Sequence, residues 1–296
     1  MPTEHEKNCI EVLLKTVMLW VKGNCSRTFV MYANKILKKY DDFFCIDGSK
    51  KKPSLTFLRK YNIEYKNVET NKILNQTIKI FIDELYEDFL NDENFHKFVK
   101  YMKKWEATPK YIIGKEETTK INNNLYKCYR IIANKDIPTY ANSNNGYQLI
   151  KKGTPGGCIK SEENLSQKGF CWLNNESYIL GKAKLEGNSY LHQSYLYGHA
   201  KVEGNSKITF SIVCQNATVK GHNDVHMSRI TGNVIIQDDV YVHSSNINDN
   251  VEIFGSSYIY FSNLSEDIWV EDSLLEHINK NGNQKIKGEN LCKNTN

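Results

Sequence analysis

Carboxylate, imidazole and phenol side chains recur at related positions in the second half of this sequence. Asp224 and His226 lie two residues apart, and Tyr241 and His243 repeat that spacing 17 residues later. A histidine near a carboxylate can transfer protons at neutral pH, and phenol rings can bind a flat or polar ligand. This chemistry requires a fold that brings both pairs onto one surface. The full candidate set is Asp224, His226, Tyr241, His243, Tyr258 and His192.

The surrounding sequence supplies such a fold, because one aliphatic residue returns every five or six positions. The steps are 6, 6 and 5, and they sum to a period of 17. The series is Ile179, Leu185, Leu191, Leu196, Val202, Ile208, Val213, Val219, Val225, Ile230, Ile236, Val242, Ile247, Ile253, Ile259, Leu264 and Val270.

This period predicts a three-sided parallel β-helix over residues 179–270. It is too short for helix-pair repeats. Each side of a coil would be a short strand that stacks on its counterpart one coil later, roughly 4.8 Å away, with the aliphatic residue pointing inward. The residues that flank each aliphatic position then point outward. Asp224, His226, Tyr241 and His243 would therefore share one face.

Small residues support this interpretation because they fall where the coil must turn. Glycines and aspartates that tolerate positive φ share two phases of the repeat, including Gly204 and Gly198. A second set of small residues stands two positions before one aliphatic column, and we interpret it as structural, not as a row of nucleophiles. These residues are Ser177, Ser194, Ser211, Ser228, Ser245 and Ser262.

The outward face has several interpretations. Aromatic and histidine residues are common on exposed β-strands without any function. A catalytic role for His226 with Asp224, and a face that binds a ligand or protein through His243, Tyr241, Tyr258 and His192, are the functional alternatives. Asp224, His226 and His243 are metal ligands by residue type, but no spacing signature accompanies them, and we predict no metal site.

The rest of the chain has a different pattern. Residues 1–106 contain amphipathic stretches that predict a domain of about five helices, and residues 107–124 are polar and read as a linker. Residues 125–178 are predicted to form entry strands and the first cap of the β-helix. After Val270 the aliphatic pattern stops, so residues 271–296 are predicted to form a capping helix, starting at Asp272 or Ser273, and a tail. The predicted fold class is therefore α+β multidomain.

Composition limits the function classes. The net charge of +5 lies in residues 1–110, which hold 20 Lys and Arg against 15 Asp and Glu. A Lys-rich helix face at residues 97–104 could contact an acidic partner or an anionic membrane surface, but Lys-rich helix faces are more often simply solvated, and the absence of a nucleic-acid motif argues against nucleic acid. No apolar run approaches the roughly 20 residues of a membrane span, and no secretory signal is visible.

The eight cysteines have no C-x-x-C pair, which argues against zinc and against a disulfide framework. We therefore expect a soluble cytoplasmic protein. Its richness in Lys, Asn, Ile and Tyr, which have AT-rich codons, suggests a bacterial source.

One segment resembles a known group. The stretch Gly153-Thr-Pro-Gly-Gly-Cys-Ile-Lys-Ser-Glu-Glu-Asn-Leu-Ser-Gln-Lys-Gly-Phe-Cys-Trp172, with repeats such as Gly198-His-Ala-Lys-Val-Glu-Gly-Asn-Ser206, is similar to hexapeptide-repeat β-helix proteins of enterobacteria and phages, the YdcK type. The resemblance covers about residues 125–270, although Cys158 stands where an aromatic residue is expected. It implies a left-handed β-helix, acyltransferase ancestry and possible homotrimeric assembly.

Two functional hypotheses follow. The first is a binding or effector-like protein in which the β-helix presents the aromatic and histidine face, the helical domain gives the specific interaction with a protein partner, and no cofactor is needed. Such a protein could alternatively be delivered into a host cell by a non-classical route. The second hypothesis is an acyl-CoA-dependent O- or N-acyltransferase with His226 as general base. The unbroken 17-residue spacing favours the first, because acyltransferases of that superfamily commonly carry an extruded loop.

Overall fold

The fold is described by a computed structural model, which covers residues 1–19, 27–47, 50–63, 70–121, 123–140 and 147–292. The chain divides into two compact units, Met1–Thr108 with Asn142–Leu149, and Pro109–Ala141 with Ile150–Asn296. The first is largely helical and the second is a parallel β-solenoid of about eight turns, which confirms the predicted fold class.

Side chains near the N-termini of two helices in the helical unit cap their first turns. The side chains and backbones of Thr3 and Glu6 form a reciprocal capping box at α1, and Asp92 accepts hydrogen bonds from the Asn94 and Phe95 amides at the start of α6. The helices are α1 Glu4–Met18, α2 Arg27–Ile36, α3 Leu55–Lys60, α4 Thr70–Asp83, α5 Tyr86–Leu90 and α6 Glu93–Ala107. A 3-10 segment Leu37–Phe43 leads into the antiparallel hairpin of β1 Phe44–Asp47 and β2 Lys50–Pro53.

The core of the helical unit is aromatic. Phe81 of α4 is fully buried, and its ring centroid lies 5.1 Å from that of Tyr40 and 6.1 Å from that of Phe89. A second group joins α2 to α6 through an edge-to-face pair, Phe29 and Phe98, at 5.9 Å. Such pairs contribute about 0.5–1.5 kcal/mol beyond their buried area, so this unit has a packed core of its own.

The predicted linker over residues 107–124 is wrong. Residues 111–121 form β3, which pairs antiparallel with β4 from Tyr111 opposite Ala133 to Ile121 opposite Asn124. All but one of the residues of β3 are exposed or half-buried, so its polar composition resembles that of a linker even though its backbone is paired along most of its length. The strands of this entry region are β3 Tyr111–Ile121, β4 Asn124–Ala133, β5 Ile137–Tyr140, β6 Tyr147–Ile150 and β7 Pro155–Ile159.

The solenoid strands are two to four residues long, as the 17-residue period predicts. They are β8 Trp172–Leu173, β9 Tyr178–Ile179, β10 Lys184–Leu185, β11 Tyr190–His192, β12 Tyr195–Leu196, β13 Lys201–Gly204, β14 Lys207–Thr209, β15 Ile212–Gln215, β16 Thr218–Gly221, β17 Asp224–His226, β18 Arg229–Gly232, β19 Ile235–Asp238, β20 Tyr241–His243, β21 Asn246–Asp249, β22 Val251–Phe254, β23 Tyr258–Tyr260, β24 Asn263–Leu264, β25 Ile268–Glu271, β26 Leu274–Glu276, β27 Asn279–Lys280, β28 Gln284–Lys287 and β29 Asn290–Cys292.

These strands form three sheets, one for each side of the coil. One sheet runs from β10 to β28, the second from β8 to β29, and the third continues from β27 through β9 and β7 to β4 and β3. Within each sheet the solenoid strands are parallel, and Val225 pairs with Ile208 below it and Val242 above it. Every residue of the predicted aliphatic series is at most 1% exposed, so the three columns form the core.

The serines that stand two positions before one aliphatic column are structural, as predicted. The amide of Ser228 donates to the hydroxyl of Ser211 at 2.9 Å, and the Ser211 hydroxyl donates to the carbonyl oxygen of Thr209 at 2.7 Å. The same pair of contacts recurs at Ser194, Ser228, Ser245 and Ser262. Each hydroxyl thus satisfies buried backbone groups of its own coil and of the next.

The predicted C-terminal capping helix is also wrong. Residues 274–292 form β26 to β29, which add a further coil, and residues 293–296 lie outside the described part of the chain. This coil has 16 residues, because Tyr258 pairs with Leu274 and Ile268 pairs with Gln284. Lys280 also occupies the position after Leu264 in its column. Because of the shortened period and the lysine, the 17-residue aliphatic pattern does not continue into this coil, and the sequence did not predict it.

Candidate functional site

The structure places all six predicted site residues on the outer surface of one sheet. We call this surface the aromatic face, and its outward residues stand in two columns along β11, β14, β17, β20 and β23. The first column is Tyr190, Lys207, Asp224, Tyr241 and Tyr258, and the second is His192, Thr209, His226, His243 and Tyr260. His226 and His243 are direct neighbours, as are Asp224 and Tyr241. His192 is separated from His226 by Thr209.

Whether the Nδ1 of each histidine has a hydrogen-bond partner depends on the residue one coil below it. The Asn174 side-chain amide contacts Nδ1 of His192 at 2.9 Å, and the Thr209 hydroxyl contacts Nδ1 of His226 at 2.8 Å. Below His243 stands His226, whose Nδ1 already has its partner. Among the described residues, Nδ1 of His243 is accordingly buried without a hydrogen bond.

The predicted pairing of Asp224 with His226 is not the arrangement found. The nearest ionic partner of Asp224 is Lys207, with Nζ to Oδ2 at 3.6 Å, and His226 is oriented by Thr209 instead. Burial raises the pKa of Asp224 above its ordinary value, against the opposing effect of Lys207. Burial and the neighbouring His243 lower the pKa of His226, so its imidazole is neutral at pH 7.

Ring contacts run almost continuously along the histidine column. His226 and His243 stack at 5.0 Å between centroids. Phe210 makes edge contacts with His192 at 5.4 Å and with His226 at 5.5 Å, and Phe261 contacts His243 at 5.4 Å. These rings build one connected surface several coils long.

Phe210 and Phe261 belong to a corner of the coil that sequence reasoning missed. We call it the corner ridge, and each of its members has a φ between 46° and 55°. Left-handed backbone costs a residue with a side chain about 1–2 kcal/mol. The corner ridge consists of Gln193, Phe210, Met227, Ser244, Phe261 and His277.

Large apolar side chains on this corner ridge are exposed. The exposed fraction is 47% for Phe210, 57% for Met227 and 48% for Phe261. The other two corners also have positive φ, but there the sequence supplies mainly Gly or Asp, as at Gly204 and Gly198. A Cβ on Gly204 would come within 2.5 Å of the Gly221 carbonyl oxygen, so a side chain at this position would collide with the next coil. The corner ridge, in contrast, has no glycine at any of its six positions.

A shallow groove of about 550 Å³ lies at the C-terminal end of the aromatic face. It was missed because half of its lining falls in the segment predicted to be a capping helix. Tyr258 and Tyr260 supply its aromatic wall, while Glu276 supplies a carboxylate. The full lining is Ser256, Tyr258, Tyr260, Asp272, Ser273, Leu274, Glu276 and Asn290.

A second arrangement in the helical unit has the residue types of a nucleophile triad. Nε2 of His5 lies 3.8 Å from Sγ of Cys9, and Nδ1 of His5 lies 3.1 Å from a carboxylate oxygen of Glu106. Cys9 is completely buried, and burial, followed by the charges of Glu106 and Glu6, raises the pKa of its thiol. Since the thiolate is the nucleophile, this arrangement is a packed core contact and not a reactive site.

Neither a metal centre nor a membrane helix is present in the part of the chain that the structure describes. No three or more His, Cys, Asp or Glu side chains there come close enough together to hold a metal ion. None of its helices is long and apolar enough to cross a membrane.

Comparison with known proteins adds no assignment. No protein-family model matches this chain, and no curated protein matches its sequence. The resemblance of residues 125–270 to hexapeptide-repeat proteins therefore stays a prediction, as does the left-handed sense that it implies.

Proposed function

We propose that this chain is a binding protein whose aromatic face and corner ridge together contact a protein partner. The observation that carries the proposal is the corner ridge, where Phe210, Met227 and Phe261 are exposed at left-handed backbone positions. Glycine would relieve the backbone cost at each position, and a polar residue would avoid exposing apolar surface. Conformational cost together with exposed apolar surface is a mark of binding sites.

The composition of this surface suits a protein partner. Tyrosine, phenylalanine and methionine are enriched in the centres of protein interfaces, where charged residues are depleted. The only lysine in the two columns of the aromatic face, Lys207, is already paired with Asp224. Nucleic acid would require several cations to neutralise its phosphates, so this face favours protein over nucleic acid.

The helical unit would add a second contact. Lys97, Lys100, Lys103 and Lys104 of α6 are all exposed, and Lys97 is paired with Glu93 at 2.6 Å. We propose that this lysine surface gives the interaction its specificity for an acidic part of the partner. The protein would act in the bacterial cytoplasm or, as an effector, in a host cell. Homotrimeric assembly is a further proposal, which sedimentation equilibrium would measure.

The test is a crosslinking experiment with matched variants. Full-length wild type and a Phe210→Ala/Phe261→Ala variant are crosslinked in cell extract, and captured proteins are quantified by mass spectrometry. The control is Phe254→Ala, because Phe254 is a part-exposed aromatic residue on a different sheet. We expect the Phe210→Ala/Phe261→Ala variant to capture about tenfold less of one partner protein than wild type and the control do. Equal capture by all three proteins would reject the aromatic face as the binding surface.

The acyltransferase alternative has one observation in its favour. The lowered pKa leaves His226 neutral at pH 7, as a general base requires. Calorimetry with acyl-CoA, on wild type and on His226→Ala, separates the two functions. Saturable binding together with an acyl-transfer rate that falls about a hundredfold in His226→Ala would establish the enzyme. No binding at millimolar acyl-CoA would exclude it.

A further inference from the structure

Lys110 and Cys171 form a buried pair in the solenoid unit that the proposed binding function does not use. Both side chains are completely inaccessible to solvent, and Nζ of Lys110 lies 3.0 Å from Sγ of Cys171. The only other hydrogen-bond contact of this amine within the described residues is the carbonyl oxygen of Lys168, at 3.3 Å. A buried lysine normally pairs with a carboxylate, and here the sulfur takes that place.

The surroundings favour the uncharged form of the Lys110 amine. Burial lowers the pKa of Lys110, against the opposing effect of Cys171. The thiol of Cys171 donates to the carbonyl oxygens of Ser166 and Leu185, at 3.6 Å and 3.5 Å. The Lys110 amine donates to the sulfur, so the nitrogen and the sulfur are in direct contact. A neutral lysine amine is a nucleophile.

The backbone holds the two groups in place. The amide of Lys110 donates to the side-chain oxygen of Gln167 at 2.7 Å, and the carbonyl oxygen of Lys110 accepts from Asn134 at 2.9 Å. The Tyr111 hydroxyl donates to the carbonyl oxygen of Leu165 at 2.8 Å. These hydrogen bonds fix the position of Lys110 relative to the loop that carries Cys171. The contact between Nζ and Sγ is therefore preorganised.

From this geometry we propose that Lys110 and Cys171 are a modification site, where a peroxide links the two side chains by a covalent bond between Nζ and Sγ. Hydrogen peroxide, close to water in size, reaches the sulfur during local opening of the loop that precedes Cys171. In the first step this opening exposes the thiol to water, the thiol ionises, and the thiolate attacks peroxide: the O–O bond breaks, an S–O bond forms, Cys171 becomes a sulfenic acid, and the leaving hydroxide takes up the released proton as one water.

In the second step the Lys110 amine attacks the sulfur. An N–S bond forms, the S–O bond breaks, and the hydroxyl leaves as a second water with one proton from the amine. Overall, a thiol, an amine and one peroxide give a sulfenamide and two waters, and the sulfur loses two electrons to the peroxide. The link joins the chain before β3 to the first coil, so it should raise the melting temperature, and an added thiol should reverse it.

Peptide mapping of the full-length protein tests this site. The protein is treated with hydrogen peroxide, unfolded without reductant, alkylated with iodoacetamide, digested, and analysed by mass spectrometry. We expect a peptide that joins the segments around Lys110 and Cys171, is two hydrogen atoms lighter than their sum, and disappears after dithiothreitol. The exposed Cys45 and Cys292 report in the same sample whether the peroxide was effective.

Variants and trapping define the outcome. Lys110→Met removes the amine but keeps a long apolar side chain, and it should leave Cys171 as a sulfenic acid that dimedone captures. Cys214→Ser removes a buried thiol whose contact is the Thr231 hydroxyl, and it should leave the link intact. If Lys110→Met does not fold, dimedone competition on wild type replaces it, since dimedone should suppress the linked peptide. Oxidation of Cys171 without a link, no oxidation of Cys171 while Cys45 and Cys292 react, or a linked peptide that retains an oxygen between N and S would overturn the proposal.

Discussion

The histidine column shows how a single side chain in a solenoid is governed by the residue one coil below it. Asn174 and Thr209 each present a polar group to the Nδ1 of the histidine above, whereas His226 presents none to His243. A buried polar atom without a partner costs about 1–3 kcal/mol. The aromatic face therefore contains a local destabilisation at the stacked pair His226 and His243.

The half-buried histidines of the aromatic face make the protein less stable as the pH falls. The pKa of His226 is lowered from 6.5 in the folded protein, so the unfolded chain takes up a proton at higher pH than the folded chain. The contribution of His226 to stability is fully present above pH 6.5 and decreases as the pH falls through 6.5 towards the pKa of the folded state. His192, whose pKa is also lowered by burial, acts in the same direction. Asp224, whose pKa is raised, acts in the opposite direction at lower pH.

We predict that His226→Thr stabilises the protein. The new hydroxyl would stand below His243 as Thr209 stands below His226, and it would satisfy the buried Nδ1 with a gain of about 1–3 kcal/mol. Thermal melts between about pH 7.5 and about pH 5.5 should show a higher melting temperature and a smaller loss on acidification than in wild type. A lower melting temperature at pH 7.5 would contradict the role assigned to this nitrogen.

At the scale of the coil, aliphatic spacing was sufficient to predict the three sheets, the buried columns and the serine contacts. The same spacing placed Asp224, His226, Tyr241 and His243 on one face, because inward and outward positions alternate along a strand. The corner ridge could not be predicted in this way, since Phe210 and Met227 carry no signal of positive φ comparable to glycine. The last coil was missed because one shortened period removed the pattern on which the prediction depended.

We predict that Val225→Asp unfolds the solenoid. Val225 is fully buried between Ile208 and Val242, and a carboxylate there would have no partner. The cost is several kcal/mol against a typical stability of roughly 5–15 kcal/mol. The control is Ile212→Asp, because Ile212 is an outward, part-exposed residue of β15 beside Arg229. Circular dichroism melts should show a lost or strongly lowered transition for Val225→Asp only, and equal melting of both variants would contradict the core assignment.

At the scale of the whole molecule, composition separated a helical part from a solenoid but misjudged the segment between them. The polar residues of β3 were read as a linker, although β3 pairs with β4 and β4 pairs with β7. β7 pairs in turn with β9, the first strand of the aliphatic series. Strand pairing between distant segments leaves little trace in a polar sequence, which explains why the boundary was misplaced. In the structure the first segment of the helical unit ends at Thr108 and the solenoid unit begins at Pro109, while residues 142–149 group with the helical unit.

The last prediction follows from this boundary. Residues 1–108 and residues 109–296, expressed separately, should each fold, because one contains the aromatic core around Phe81 and the other the complete sheet from β3 onward. Circular dichroism should show a helical spectrum for the first and a β spectrum for the second, each with a cooperative melt. A fragment of residues 125–296 is the matched control, since it removes β3 and exposes β4 as an open edge that invites aggregation. It should melt lower and associate more than residues 109–296, and equal behaviour of the two fragments would show that β3 is dispensable to the solenoid.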